Sequence, residues 1–190
     1  MTQSNIKYRY ATDADDNVID ILSLNRENPE DRKDYVCLGC GMVLRPVLPQ
    51  QQAKHFRHKT VGNCSLETYL HRMGIRIFQE TYQRCLEKEI PFILTVPVKS
   101  VCRVCKGGPC NKETTPKRLD LTKTFSRSEI EPSDVVGDSR FVPDILLSND
   151  SGDKTYVEIV YSHASEGNKI NTGIPIIEID ITEQRDFALI

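Results

Sequence analysis

Residues 141–160, FVPDILLSNDSGDKTYVEIV, contain the pattern that decides the fold. Two runs rich in β-branched and aromatic residues, 141–148 and 156–162, flank a short polar segment. The sequence Asn149-Asp-Ser-Gly152 in that segment is typical of a turn, so we predict a hairpin-type connection between two strands. Asp144 lies at the start of the first strand and Glu158 lies in the middle of the second. The stretch therefore predicts neighbouring strands that each carry an acidic side chain.

A long helix is predicted before this hairpin. Between Ser65 and about Lys88, apolar residues recur at steps of three and four positions, which is typical of an amphipathic α-helix. Ser65 is a suitable N-cap, and Pro91 ends the helix because proline cannot continue it. A run over 92–98 that is rich in β-forming residues predicts a strand directly after the helix.

Shorter segments make up the remainder of the chain. Two short strands are predicted around the turn at Asp15-Asp-Asn17, followed by a polar loop over 25–33 and a strand over 42–48. We also predict a return strand over 118–125, a surface loop over 126–139 and a further strand over 174–181. Residues 163–172 are long enough for a short helix or an irregular crossover. The chain is therefore expected to be mixed α/β.

Composition limits the class of protein. The chain has 190 residues, a net charge of −2 and 38% hydrophobic residues, as expected of one ordinary globular domain with or without a small stapled module. No apolar stretch approaches the roughly 20 residues that cross a bilayer, so we expect no membrane partner and a cytoplasmic location. Residues 51–88 carry a local charge of +4, which suits either a phosphate-facing surface or a solvated helix face.

The cysteines indicate bound metal. Seven cysteines in a compartment that keeps thiols reduced favour zinc over a disulfide framework. Cys37-x2-Cys40 has the spacing of a zinc knuckle, which places two thiolates on one side of the ion. The second pair of ligands has three alternatives: His58 with Cys64, His55 with His58, or His55 with Cys64. We favour His58 with Cys64, because the Gly-containing loop between them can close around an ion with little strain.

A second knuckle, Cys102-x2-Cys105-x4-Cys110, provides three further candidate ligands. Its fourth ligand is either Cys85 on the preceding helix or a group other than cysteine. A redox-active or simply packed cysteine cluster is the competing interpretation. Both predicted zinc sites are structural, because neither has an open coordination position beside a base.

The acidic residues on the hairpin suggest a second type of metal site. Glu158 lies among apolar neighbours, where a carboxylate loses solvation unless another charge compensates it. Asp144 and Glu158 could share one Mg²⁺ or Mn²⁺, which would activate water and polarise a phosphoryl oxygen. Glu67 and His71, one helical turn apart, could add a third carboxylate and an imidazole. The alternative is a salt-bridged Glu158 and an Asp144 that only caps a turn.

A set of motifs, taken in order, resembles a known family. The motifs are Cys37-x2-Cys40-Gly, His55-Phe-Arg-His58, Cys64-Ser-Leu-Glu67-x3-His71, Pro143-Asp144-Ile-Leu-Leu, Glu158-Ile-Val-Tyr-Ser162-His163 and Gly173-Ile-Pro-Ile-Ile-Glu-Ile-Asp180. Together they span residues 35 to 181 and resemble the competence protein CoiA-like family, which are nucleases with a PD-(D/E)xK core behind a zinc-ribbon-like head. The resemblance implies a restriction-endonuclease-like sheet flanked by helices, with its metal-binding acids at Asp144 and Glu158 and its helix glutamate at Glu67.

One position departs from the family pattern. The residue two after the second acid is usually Lys, or Gln in this branch, but here it is Val160, which can neither donate a hydrogen bond nor carry a charge. Either another polar group replaces it, with His163 ranked ahead of Lys169 and Ser162 also a candidate, or catalysis is lost. His163 can serve only if the strand has ended or bulged there, because strand alternation turns it away from Glu158.

These observations give one main hypothesis and one alternative. We predict a zinc-ribbon-like module over 1–64 and a nuclease-like domain over 65–190 with an inserted knuckle over 102–110. The predicted function is a Mg²⁺- or Mn²⁺-dependent DNA nuclease, in which Glu67, Asp144, Glu158 and His163 form the catalytic set. The alternative is a catalytically inactive nuclease fold with structural zinc that binds DNA or a protein partner.

Overall fold

The computed structural model describes residues 8–60, 64–101, 109–137, 139–161 and 173–190, of which 97–101, 109–115, Ser139 and Leu189 are described by their backbone alone. These residues form one α-helix, thirteen mostly short strands and four 3-10 helices. The prediction of a mixed α/β fold is therefore confirmed, with most of the regular structure in sheets. None of the described helices is long and apolar enough to cross a bilayer.

The N-terminal part is a five-stranded antiparallel sheet. Its strands are β1 (Tyr10–Thr12), β2 (Val18–Asp20), β3 (Tyr35–Val36), β4 (Val43–Val47) and β5 (His55–His58), in the spatial order β2-β1-β3-β4-β5. The carbonyl oxygen of Tyr8 accepts a hydrogen bond of 2.9 Å from the backbone N–H of Phe56. The segment that leads into β1 therefore lies beside β5, the edge strand at the far end of the sheet from β2.

The two predicted strands around the first turn are confirmed as β1 and β2. Asp13 holds that turn, because its carboxylate accepts hydrogen bonds from the backbone N–H groups of Asp15 and Asn17. The predicted strand over 42–48 is confirmed as β4. The loop predicted over 25–33 contains one short 3-10 helix, Pro29–Arg32, whose first turn is capped by Asn28.

Helix α1 spans Leu66–Glu87, so the predicted helix and its N-cap are confirmed. The side chain of Ser65 accepts a hydrogen bond from the backbone N–H of Thr68. At the other end Glu89 has a φ of 53°, and this left-handed residue turns the chain away before Pro91. The apolar stripe of α1 is buried, including Tyr69, Met73 and Phe78.

The second sheet has four strands and holds the hairpin predicted from 141–160. It consists of β8 (Arg127–Ile130), β11 (Ile145–Ser148), β12 (Lys154–Val160) and β13 (Ile176–Asp180), in the order β13-β12-β11-β8. Strands β11 and β12 are antiparallel neighbours, which confirms the predicted hairpin, whereas β12 and β13 are parallel. The crossover predicted over 163–172 lies outside the described residues.

Two smaller antiparallel pairs complete the fold. Strands β6 (Ile93–Val101) and β7 (Pro109–Asp120) form a long hairpin, and β9 (Asp134–Val136) pairs with β10 (Ser139–Phe141). The return strand predicted over 118–125 is thus displaced: β7 starts well before it and ends at Asp120. In the described residues this hairpin pairs with no further strand, and its Leu94 is buried in the core.

The surface loop predicted over 126–139 is wrong, because that segment contains β8 and β9. β8 is an edge strand whose residues are all exposed or half-buried. An edge strand of this kind tolerates the polar sequence Arg-Ser-Glu-Ile, since only one of its sides is paired. Because the segment has so few apolar residues, its acidic sequence had predicted a loop.

One apolar core runs through both sheets and the helix between them in sequence. Its buried members come from the N-terminal sheet, from α1 and from the second sheet, and include Leu44, Phe56, Tyr69, Val157 and Ile159. Helix α1 contacts both sheets, because the hydroxyl of Tyr69 donates to the carbonyl oxygen of Tyr10 and Gly74 packs against Ile159.

Candidate metal centre and acidic site

Four metal-binding side chains meet beside the first turn of α1. The ligand atoms of Cys37, Cys40, His58 and Cys64 all lie within 4.8 Å of one another. The Sγ atoms of Cys37 and Cys64 are 3.7 Å apart, and the Sγ atom of Cys40 is 3.2 Å from Nε2 of His58. A tetrahedral zinc ion with ordinary bond lengths has ligand-to-ligand distances of roughly 3.5–3.8 Å. The donor set therefore fits zinc, and the cluster is close to the size of such a site.

The backbone explains how the four ligands converge. Cys37 and Cys40 lie in the tight turn between β3 and β4, where the N–H of Gly41 donates a 2.7 Å hydrogen bond to the carbonyl oxygen of Cys37. Gly41 has a φ of 71°, which a residue with a side chain rarely adopts. His58 is the last residue of β5, and Cys64 comes directly before the N-cap of α1. An ion in this cluster would join three separate elements.

His55 is not part of this cluster. Its Nδ1 atom lies 3.2 Å from the carbonyl oxygen of Ala53. His55 and His58 are three residues apart in one strand, so alternation places them on opposite faces of the sheet. Of the three alternatives that the spacing left open, the structure brings together His58 and Cys64.

The cluster lies against aromatic side chains. The ring of Tyr8 meets the ring of His58 edge-on at a centroid distance of 4.8 Å, and Tyr8 also packs edge-on against Tyr69 of α1. Cys37 is fully buried, and burial raises the pKa of its thiol to about 12. A sulfur in such surroundings is held as a thiolate when a cation binds it, which suits a closed structural site.

The second predicted zinc site falls largely outside the described residues. Cys102 and Cys105 are among the undescribed ones, and Cys110 is described only as a backbone position in β7. Val101 pairs with Pro109, so the β6–β7 hairpin brings the two ends of this cysteine segment together. Cys85, the candidate fourth ligand, is buried in the core on α1. Zinc at this knuckle stays a prediction.

Asp144 occupies the point where β11 begins. Its Oδ2 atom accepts a 2.8 Å hydrogen bond from the backbone N–H of Ile159 and lies 3.1 Å from Nε2 of His71. Because a strand N–H points along the plane of its sheet, the bond from Ile159 holds the Asp144 carboxylate close to that plane. The carboxylate occupies the place where the backbone of a longer β11 would pair with β12. From there it reaches α1 through His71.

Glu158 lies next to Asp144 in the sheet. Ile145 pairs with Val157, so one step beyond the end of β11 the register sets Asp144 opposite Glu158. Glu158 is 6% exposed, and alternation places it on the face opposite Ile159, the residue that packs on Gly74 of α1. The backbone positions of the two acids are therefore cross-strand neighbours, and the sharing of one ion by their carboxylates stays a prediction.

The neighbouring charges act on His71. The hydrogen bond with Asp144 raises the pKa of the imidazole, burial opposes that shift, and the charges of Asp144, Glu131 and Glu158 add to it. The same negative charges would favour a bound cation. Glu131 was missed in the sequence because it falls in the segment expected to be a loop; its N–H donates to the carbonyl oxygen of Asp144.

Of the two remaining predicted catalytic residues, only Glu67 lies in the described part of the chain. Glu67 is exposed on the first turn of α1, one turn before His71, and among the described residues it has no hydrogen-bond or ion-pair partner. His163, together with Ser162 and Lys169, lies outside the described residues. Within the described part of the chain, three or more metal-binding groups come within reach of one ion only at the cysteine–histidine cluster.

The basic segment 51–88 is partly neutralised by its own protein. Arg76 pairs with Asp16 at 2.9 Å and with Glu80 at 2.7 Å, and Lys59 pairs with Asp34 at 2.7 Å. The helix therefore does not present a uniform row of unpaired cations.

No family model matches this chain, and comparisons with curated proteins and with solved structures find no match either. The resemblance to the CoiA-like family therefore depends on the order of its motifs alone.

Proposed function

We propose that the protein is a metal-dependent DNA nuclease of the CoiA-like type, with a restriction-endonuclease-like core and a structural zinc at the N-terminal cluster. The observation that carries this proposal is the position of Asp144, which neighbours Glu158 across two strands and contacts His71 on α1. Two carboxylates contributed by adjacent strands can share a catalytic divalent cation.

The side chains at the proposed cation site have different roles. Oδ2 of Asp144 is engaged by His71 and by the N–H of Ile159, which leaves Oδ1 for a cation. Magnesium keeps several waters and binds through one or two carboxylates plus substrate phosphate, so Asp144 and Glu158 suffice without a third protein ligand. When bound, the ion would supply a hydroxide nucleophile at neutral pH and stabilise charge on the phosphoryl oxygens. His71 keeps the Asp144 carboxylate oriented.

Because Val160 is apolar, another residue must provide the polar group that Lys or Gln provides in the CoiA-like pattern. The proposal assigns the missing polar group to His163, or to Lys169, from the segment that follows β12. In either case the group would stabilise negative charge on the phosphate or orient the attacking water. DNA, single- or double-stranded, is the proposed substrate.

Cleavage assays with single-site variants test this proposal. The parent protein, Asp144→Asn and Glu158→Gln are incubated with single- and double-stranded DNA and Mn²⁺, with Asp150→Asn as control because Asp150 is an exposed acid on the same hairpin. We expect cleavage by the parent and the control, and a loss of at least a hundredfold in both site variants. Absence of cleavage by the parent, or equal cleavage by all four, rejects the nuclease.

A second candidate is a nuclease fold that binds DNA or a protein without cutting it. Val160 favours this function, as does the absence of a third metal-binding group beside Asp144 and His71 in the described residues. It predicts that DNA shifts or partner capture persist unchanged in the folded Asp144→Asn/Glu158→Gln variant while no variant cleaves. Binding that requires both acids would contradict it.

A further inference from the structure

Two arginines face each other on the outer surface of the N-terminal sheet. Arg45 of β4 is directly opposite Arg57 of β5 in the register of the sheet. Their neighbours in the strands, Leu44 and Phe56, are buried in the core, so alternation turns both arginines outward. Both side chains are exposed.

The balance of charge on this surface is positive. Lys59 follows the last residue of β5 and continues the alternation of Arg57. Among the described residues, Asp34 is the one acid paired with these cations, at 2.7 Å from Lys59 and 3.6 Å from Arg45. The pKa of Asp34 is lowered, first by its hydrogen bond to Lys59. Arg57 has no hydrogen-bond or ion-pair partner among the described residues. We call Arg45, Arg57 and Lys59 the basic sheet face.

The arrangement is unfavourable for the isolated protein. Like charges directly opposite each other on neighbouring strands destabilise a sheet, whereas opposite charges there stabilise it. Arginine forks pair with phosphate oxygens through two parallel hydrogen bonds, and two forks side by side can bind successive phosphates of one strand. A polyanion would therefore turn a repulsive pair into an attractive contact.

We propose that the basic sheet face binds the sugar–phosphate backbone of DNA. This inference deepens the proposed function, since it assigns the surface that holds the substrate, but it does not require cleavage. The face is well anchored, because His58 of the zinc cluster lies in β5 next to Arg57 and the chain before β1 is bonded to Phe56. Contacts to phosphate carry no sequence information, so binding should be independent of sequence and sensitive to salt.

Fluorescence anisotropy with labelled 20-nucleotide single- and double-stranded DNA, without added Mg²⁺ or Mn²⁺, tests the proposal. The Arg45→Ala/Arg57→Ala variant should bind about tenfold or more weakly, and its slope of log K against log salt on duplex DNA should fall by about 2. Arg45→Lys/Arg57→Lys should keep most of that slope. Arg140→Ala, which removes an exposed arginine far along the chain, serves as the control.

Each outcome decides the matter. An unchanged affinity and salt slope in a folded, zinc-loaded Arg45→Ala/Arg57→Ala protein overturns the proposal, as does an equal loss in Arg140→Ala, because affinity would then follow net charge alone. Binding of polyglutamate by the parent without binding of either DNA overturns the nucleic-acid assignment. DNA binding that persists in Asp144→Asn while cleavage is lost supports the basic sheet face as the DNA-binding surface. A parent protein that binds DNA through this face without cleaving it supports the same surface and contradicts only the nuclease.

Discussion

Gly74 of α1 lies against Ile159 of β12 so closely that a Cβ atom on the glycine would come within 2.7 Å of the Ile159 Cγ2 atom. Ile159 is also the residue whose N–H holds the Asp144 carboxylate, and it follows Glu158 directly. The helix that carries His71 is therefore set in place by the same strand residue that orients the acid. This contact therefore links the packing of α1 to the position of the Asp144 carboxylate.

Replacing this glycine should destabilise the protein. Gly→Ala inside an exposed helix normally stabilises by about 0.5–1 kcal/mol, but overpacking a tight core contact costs about 1–3 kcal/mol. We expect Gly74→Ala to lower the free energy of unfolding by about 1–2 kcal/mol in urea denaturation. In the Ile159→Ala background the same change should cost less, because the clashing methyl group is gone. Additive losses would contradict the contact.

Zinc binding should depend on His58 and not on His55. His58→Ala and Cys40→Ser should lose stoichiometric zinc, measured by elemental analysis, whereas His55→Ala should retain it because His55 lies on the other face of β5. Structural zinc supplies folding energy, so its removal by a chelator should first raise hydrogen exchange over residues 35–60. Unchanged exchange in that segment after complete removal would contradict a structural role.

The buried acid Asp134 should make stability depend on pH. Burial by itself raises the pKa of Asp134, but hydrogen bonds from Lys154 at 2.6 Å and from Tyr156 at 2.9 Å outweigh it, and the pKa lies below its ordinary value. A lowered pKa stabilises the fold above the unfolded value and loses that contribution as the pH falls below about 4. Asp134→Asn should lower the free energy of unfolding by about 1–3 kcal/mol at pH 7, and its free energy of unfolding should fall less steeply as the solution is acidified.

Urea titrations from pH 3 to pH 7 check this expectation. Asp150→Asn is the matched control, because Asp150 pairs with Arg127 in an exposed position where an ion pair contributes little. An acid limb of the same steepness in Asp134→Asn and the parent protein would show that other carboxylates govern the acid unfolding.

Val160 offers a test of catalysis by gain of function. If the proposed nuclease is limited by this residue, Val160→Lys should raise the rate of DNA cleavage with Mn²⁺ by about tenfold or more, because lysine restores a cation on the same strand face as Glu158. The increase should vanish in Val160→Lys/Asp144→Asn. A folded Val160→Lys protein with no increase would place the missing role elsewhere in the chain.

Strong local periodicity made part of this fold predictable. Helix α1 has both a clear apolar stripe and a capping serine, and the β11–β12 hairpin has two β-rich runs around a turn sequence, so propensity and packing agree. Strands β8 and β9 were missed because an edge strand and a short solvent-facing pair need few apolar residues. Their placement depends on partners that are distant in sequence.

The candidate sites were predictable to different degrees. The spacing of Cys37, Cys40, His58 and Cys64 limited the ligands to a few alternatives, and strand alternation could have removed the pair His55 with His58. The approach of Glu131 to Asp144 could not be predicted from the sequence. It follows from the pairing of β8 with β11 and from the left-handed backbone of Glu131, whose φ is 44°.

All four ligands of the N-terminal cluster precede α1, and the strands of the second sheet come later in the chain. A ribosome would therefore release the complete ligand set before most of the core that it abuts has been made. Capture of zinc by the nascent chain would order the first sheet and fix where α1 starts, giving the later strands a finished surface to assemble on. Cellular zinc supply would then govern how much of this protein matures, as well as how stable the mature form is.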